Sequence, residues 1–304
     1  MFLLTVGPND AGQRLDKFLL KTLNNCPKSL LYKGNRQNKI KVNKKKVDLA
    51  TFLNNGDEIR IFLGDEFAPV TRLAVSATKT IADPDIVYED DNILVINKPV
   101  GVSAHSEKPG VPNARDMAVA YLIKIGAYTP DKEQSFTPAF ANRLDRNTQG
   151  MMVMGKNAAA LRELNALIAA DKVKKTYLCL THKAPSPAAD ILSGYIVKDK
   201  ATNISKIVQN PTKDSKAVST KYQTLNVQKD RVLIEVELLT GRSHQIRAHM
   251  ASIGCPLLGD KKYGGKPVHK YQALCACRLE LLPDEESCLY YLKDKVFEVT
   301  PWFL

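Results

Sequence analysis

The sequence predicts an α+β fold, a large and largely antiparallel mixed sheet preceded by a small basic α+β module. Three observations carry this expectation. Strand-like runs outnumber helical ones and do not alternate with them as a doubly wound sheet requires. Thr220–Val227 and Val232–Leu239 alternate apolar and polar residues and are separated by Gln228-Lys229-Asp230, the pattern of an antiparallel pair. Residues 1–64 hold twelve Lys or Arg against five acids, more than half of the net +12 of the 304-residue chain.

Within residues 1–64, Leu15, Phe18, Leu19 and Thr22 follow helical spacing, so Gln13–Asn24 reads as a short amphipathic helix. Pro27 can open a second helix, with Leu30 and Leu31 inward and Lys28, Lys33 and Arg36 outward. Ile40 and Val42 alternate with lysines, Asn43-Lys44-Lys45 reads as a turn, and Glu58–Leu63 alternates again. Residues 65–82 lack helical periodicity, balance Asp65 and Glu66 against Arg72 and Lys79, and contain Pro69, which suggests a linker. Residues 83–304 then form the main domain.

There, Ile93–Ile96 reads as a buried strand ended by Asn97-Lys98-Pro99. Asn113 can cap a helix whose inward face is Met117, Ala118, Tyr121, Leu122 and Ile125, stopped by Gly126. Met151–Met154 is a second core strand, and Asn157 can cap a helix with Leu161, Leu164, Leu167 and Ile168 inward. Val173–Leu180 is strand-like, Arg242–Ser252 has helical spacing ended by Gly254, and Val296–Val299 is a last strand.

Composition narrows the function. At 44% hydrophobic residues a sizeable core is expected. The positive balance favours a polyanionic partner. Cys26, Cys179, Cys255, Cys275, Cys277 and Cys288 show no C-x-x-C spacing, so reduced core thiols in a cytoplasmic protein are expected, with no metal site. No apolar run reaches membrane-spanning length, and Met1–Val6 is too short for a signal peptide. A Walker-type phosphate loop is also missing, so no nucleotide cofactor is expected.

The chemistry concentrates in Asn142-Arg143-Leu144-Asp145-Arg146-Asn147-Thr148-Gln149-Gly150. One acid stands between two arginines on a polar loop ahead of an apolar strand. Neighbouring cations favour an ionised carboxylate, and an ionised carboxylate on a rigid loop is a candidate nucleophile. Taken alone, the triplet reads more readily as a solvated loop with local ion pairs.

The stretch is similar to the R-L-D-x-x-T-x-G motif of the RluA-like pseudouridine synthases. Asp85–Pro99 through His105 resembles the opening of that catalytic domain, Lys175-Thr176-Tyr177 its K-x-Y motif, and Leu239–His249 its T-G-R-x-H-Q-I-R-x-H motif. Gly254–Gly264 continues it as G-x-P-L-x-G-D-x-x-Y-G. Four ordered motifs over about 180 residues are far more specific than any one of them. The resemblance implies a cleft across the sheet and isomerisation of uridine to pseudouridine in RNA, with no cofactor or metal. It implies that Asp145 is the catalytic acid, that Arg247 pairs with it, and that the Tyr177 ring packs on the target base. The carboxylate's role, attack on the sugar, attack on the base or removal of the sugar C2′ proton, stays open. Arg143 matches an arginine that fills the space of a flipped base; a second ion pair to Asp145 is its plainer alternative. His105, His244 and His249 are expected to be structural or to face phosphates.

Residues 1–64 resemble the S4 RNA-binding domain through Arg14-Leu15-Asp16-Lys17-Phe18-Leu19, Ile40-Lys41-Val42-Asn43 and Asn55-Gly56-Asp57-Glu58-Ile59. RNA contacts are expected from Arg14, Lys17, Lys28, Lys33, Arg36, Lys39, Lys41, Lys44, Lys45 and Lys46. Ribosomal RNA of the large subunit is the first expected target, structured tRNA the second, and a monomer is expected. A catalytically silent ribosome-assembly factor is the rival, opposed by the intact Asp145, Tyr177 and Arg247. A nucleoside hydrolase would need a water-activating partner that the sequence does not offer. Three positions depart from the commonest family pattern: Asn142 replaces a frequent His, Gln149 a frequent Ser, and Cys275 the His of L-H-A.

Overall fold

The computed structural model describes residues 1–69, 81–105, 110–199 and 201–304. Strands β1 (Phe2–Thr5), β2 (Ile40–Val42) and β3 (Glu58–Ile61) form a small antiparallel sheet in the order β1-β3-β2. Helices α1 (Leu15–Thr22) and α2 (Lys28–Arg36) cover it. Leu15, Phe18, Leu19, Leu31, Ile40, Ile59 and Ile61 are buried together, so this unit has its own core. The expected turn is present, with Asn43 and Lys44 both in the left-handed region at φ 50° and 66°. Strand β1 was not among the expected elements; its four residues alternate, but the run is too short to signal itself. Residues 70–80 of the expected linker lie outside the described residues. Its start, through Pro69, folds back on the small unit, where the Ala68 carbonyl accepts from Asn24 N.

The main sheet has eleven strands among the described residues. They are β4 (Ile86–Glu89), β5 (Ile93–Lys98), β6 (Ala139–Phe140), β7 (Gln149–Gly155), β8 (Val173–Thr181), β9 (Ala189–Asp199), β10 (Ile204–Val208), β11 (Lys216–Gln228), β12 (Arg231–Leu238), β13 (Leu274–Leu281) and β14 (Val296–Glu298). The lateral order is β10-β9-β11-β12-β8-β13-β7-β5-β4, with β6 on β7 and β14 on β13. All pairs are antiparallel except β13 with β7, so the sheet is mixed and largely antiparallel, as expected.

Three helices complete this body: α3 (Ala114–Lys124), α4 (Ala158–Ala169) and α5 (Gln245–Ser252). In β5, Leu94 and Ile96 join Ala114, Ala118 and Leu122 of α3 in one core. Ile93 and Val95 join Leu164 and Leu167 of α4 in another. The sheet is therefore covered on both faces, which is why β5 and β7 read as continuous apolar runs rather than alternating ones. Asn113 and Asn157 cap α3 and α4 as expected, accepting from Asp116 N at 3.1 Å and Ala160 N at 2.9 Å. The buried face of α3 is Ala114, Ala118, Val119 and Leu122, and Ile125 is exposed, because the C-cap turns the chain away. Helix α5 is shorter than expected: His244 takes a left-handed backbone (φ 59°), and the Gln245 side-chain Oε1 accepts from Arg242 N.

The small unit docks on the main body through polar groups. Asp10, buried, accepts from Ser135 N (3.0 Å) and Ser135 Oγ (2.5 Å). The Asn9 oxygen accepts from Ala158 N at the start of α4, and its amide donates to Glu133.

Candidate active site

Strand register sets the floor of the site. Gly150 of β7, Ala276 of β13 and Tyr177 of β8 are lateral neighbours in one row. A side chain at Gly150 (φ 129°) would meet the Ala276 carbonyl at 2.4 Å, so only glycine fits there. Gly150 and Ala276 keep this row shallow beside the Tyr177 ring.

The loop before β7 carries Asp145, and α5 brings Arg247 to it, with Nη1 donating to Asp145 Oδ2 at 3.1 Å. The expected pairing is thus made through one N–H, and the two-toothed grip of Arg247 belongs to Asp260, which accepts from Arg247 Nε at 2.7 Å and Nη2 at 2.8 Å. Asp260 is fully buried and Arg247 nearly so, while Asp145 is a quarter exposed. The guanidinium thus uses one edge to anchor itself and one N–H to hold the Asp145 carboxylate. Burial works against its charge, but the bonds to Asp260 and the charges of both acids raise its pKa, so it is permanently cationic. Its plane also lies over the Tyr263 ring, 4.8 Å from the centroid.

Tyr263 Oη accepts from Ser205 N at 2.8 Å and lies 3.0 Å from His244 Nδ1. His244 Nε2 stands 3.7 Å from Asp145. Burial lowers the His244 pKa, with the Asp145 charge acting the other way, so the ring is neutral at pH 7. His249 is buried against Thr220 Oγ1 at 2.7 Å and its pKa is pushed down to about 4 by burial.

The Asp145 loop is fastened from below. The Lys98 ammonium, with no exposed surface, donates to the carbonyls of Pro99 (2.8 Å), Val102 (2.8 Å) and Arg146 (3.1 Å). Gly101 N donates to the same Arg146 carbonyl, and Gln272 Nε2 donates to Thr148 Oγ1 at 3.0 Å. Burial lowers the Lys98 pKa to about 8, while the Asp145 charge raises it. Lys98→Met should leave the Pro99 and Val102 carbonyls without a donor, which we expect to destabilise the fold by about 3 kcal/mol, read as a lower urea midpoint at unchanged slope. A folded-state value below 10.5 means that the unfolded chain binds more protons between pH 8 and 10.5. Wild-type stability should therefore gain on the variant across that window.

One cavity of about 570 Å³ collects Asp145, Arg247, Arg143, Tyr177, His105, His244 and Lys175 with an apolar wall of Phe140, Leu144, Ile246 and Leu274. Arg143 is exposed at its mouth and, among the described residues, makes no ion pair with Asp145. Burial and the Asp145 charge push the Tyr177 hydroxyl pKa well up, so it stays protonated and cannot act as a base near neutrality. Tyr177→Phe should therefore retain most single-turnover activity, whereas Tyr177→Ala, which removes the ring face, should lose far more. Equal loss in both would assign the work to the hydroxyl instead.

The ten basic residues expected on the small unit lie outside this cavity. Lys17, Lys28, Lys33, Arg36, Lys39, Lys44, Lys45 and Lys46 are exposed and Lys41 half-buried; among the described residues none has an acidic partner. Arg14 differs, since Asp16 holds it by two bonds of 2.9 and 3.1 Å. Asp260, Tyr263, Lys98 and Gln272 were not singled out from sequence. Asp260 and Tyr263 do sit in G-D-x-x-Y-G, a pattern that could have flagged them.

The three departures have structural partners. Asn142 bonds both Met151 O and Val153 N, acting as a short extra strand against β7. Gln149 and Cys275 face each other in register on β7 and β13. Gln149 reaches Thr300 O at 3.1 Å and accepts from Trp302 N at 2.8 Å, while Cys275 is fully buried. A large residue at 149 and a small one at 275 thus replace the usual small and large.

A family profile for RNA pseudouridylate synthase matches residues 92–252. "Ribosomal large subunit pseudouridine synthase C" of Rickettsia bellii is 32% identical over 283 residues, 89% of this chain and 90% of its own. An "Uncharacterized RNA pseudouridine synthase" of Mycoplasma capricolum is 32% identical, covering 97% and 96%. Among solved structures, "Human RNA Pseudouridylate Synthase Domain Containing 4" superimposes with a TM-score of 0.57 at 22% identity over 71% of this chain and 88% of that one, a likeness of fold.

Proposed function

The chain belongs to the RNA pseudouridine synthase family, and from that premise we propose that Asp145, Arg247 and Tyr177 carry out its isomerisation of uridine, on ribosomal RNA of the large subunit. The target follows the names of its relatives. The roles follow from one observation above all: a carboxylate a quarter exposed is held by a guanidinium that a second, buried carboxylate fixes in place. The reaction breaks the N1–C1′ bond, turns the base and forms C5–C1′; the C5 proton is lost and N1 gains one, so no redox partner is needed. Asp145 supplies the electron pair that loosens the nucleoside. The Tyr177 ring offers the turning base a flat apolar face. Arg143, exposed at the mouth, suits the gap that a flipped uridine leaves in its stack.

Mapping pseudouridine in total RNA from cells with and without the gene tests this reading. Loss of one or more sites in large-subunit ribosomal RNA is expected; loss confined to tRNA would move the target, and no loss would reject the reading.

The S4-like unit is proposed to grip RNA phosphates through its exposed lysines. Replacing Lys44, Lys45 and Lys46 by Gln should lower the slope of log affinity against log salt by about 2 to 3, at roughly 0.7–0.9 per lost phosphate contact. An unchanged slope would remove that turn from the RNA interface.

A further inference from the structure

We propose that a second, lysine-lined cleft holds the phosphodiester of the target nucleotide, so that base, sugar and phosphate of one uridine span two adjoining cavities. The inference rests on the reading of the first cavity as the uridine site.

The second cavity has a volume of about 410 Å³. Both cavities are bordered by Arg143, Asp145, Ser243, His244 and Arg247. Asp145 therefore stands where they meet. The two differ in character. The first carries the apolar wall and the Tyr177 ring. The second is lined by Lys198, Lys261, Lys262 and Lys270, with Asn147 and Gln272.

These four lysines come from three separate segments. Lys198 lies near the end of β9, Lys261 and Lys262 follow Asp260, and Lys270 precedes β13. All four are exposed, and among the described residues none has an acidic partner. The acids that line the cavity are Asp145 and Asp260, and both are already bonded to Arg247. A surplus of positive charge therefore remains open to a ligand. The cluster is also fixed in place: Tyr263, the next residue after Lys262, binds Ser205 N and lies under the Arg247 guanidinium.

The covalent order of a nucleotide matches this order of cavities. Chemistry at the glycosidic carbon must occur beside Asp145. The base then lies on the apolar side, and the phosphate attached to the same sugar falls on the lysine side. A compact cationic ammonium is a suitable partner for a phosphate oxygen.

The test is binding of a single-stranded oligouridylate dodecamer, followed by fluorescence anisotropy across a salt series, together with steady-state conversion of ribosomal RNA from cells lacking the gene. The double variant Lys261→Gln/Lys262→Gln should lower the salt slope by about 0.7, the value of one lost single-strand phosphate contact. It should raise KM for the ribosomal RNA more than it lowers kcat. Lys261→Arg/Lys262→Arg should keep the slope, since the charge remains. Lys229→Gln, at the exposed β11–β12 turn, should leave it unchanged. A Gln pair with the wild-type slope would overturn the proposal, as would an Arg pair that fails like the Gln pair, or an equal drop in Lys229→Gln. Binding requires no turnover, so the slope judges this cleft even if the ribosomal RNA is not converted; failure of the wild type to convert it would instead count against the proposed target.

Discussion

Asp145→Asn should abolish detectable pseudouridine formation while leaving RNA binding and folding intact. The amide keeps the shape of the carboxylate but has neither its charge nor its basicity, and each of the three uses left open for the group needs one of these. Loss of such a residue is on the order of 10⁴-fold or more in rate. The structure explains why the lesion should stay local. Arg247 keeps its two bonds to Asp260 when Asp145 is changed, and Lys98 and Gln272 still hold the loop. Single-turnover conversion by the variant near the wild-type rate would reject Asp145 as the reacting group.

Arg247→Met should be nearly as damaging, and for two separable reasons. It removes the cation that holds Asp145, and it strands Asp260 as a buried, unpaired charge. Removing one partner of a buried pair costs about 3–5 kcal/mol of stability, and losing an orienting group costs on the order of 10²-fold in rate. Adding Asp260→Asn should remove the stranded charge and restore much of the melting temperature without restoring activity. Wild-type turnover in that double variant would reject the ion-pair role.

Much of the site was legible in the sequence because its residues sit in short, ordered motifs, and the strand and helix starts around them carry local signals. Asn113 and Asn157 announced their helices because capping is a property of a few adjacent residues. What escaped was non-local. The anchor of Arg247 is thirteen residues further along, and nothing in the periodicity of α5 distinguishes an arginine that faces Asp260 from one that faces water. Lys98 read as a strand terminator, whereas its ammonium is the node joining two loops. Strand β13 was not recognised either, although it supplies the parallel partner of β7 and separates β7, which follows the Asp145 loop, from the β8 of Tyr177. Its alternation is hidden because most of its residues are buried on both faces. The short α5 shows the opposite failure: helical spacing extended the expectation across Arg242-Ser243-His244, but the Tyr263 contact accompanies a left-handed backbone at His244.

The exchange at Gln149 and Cys275 has a consequence for the order in which mutations can accumulate. Restoring Ser at 149 alone would release Thr300 and Trp302 from their shared partner and leave a void beside β13, while His at 275 alone would press a large polar ring into a fully buried slot opposite Gln149. An unpartnered buried polar group costs about 1–3 kcal/mol, so either intermediate is expected to sit in a fitness valley. The two positions should therefore change together along any lineage, as an epistatic pair, even though neither touches Asp145.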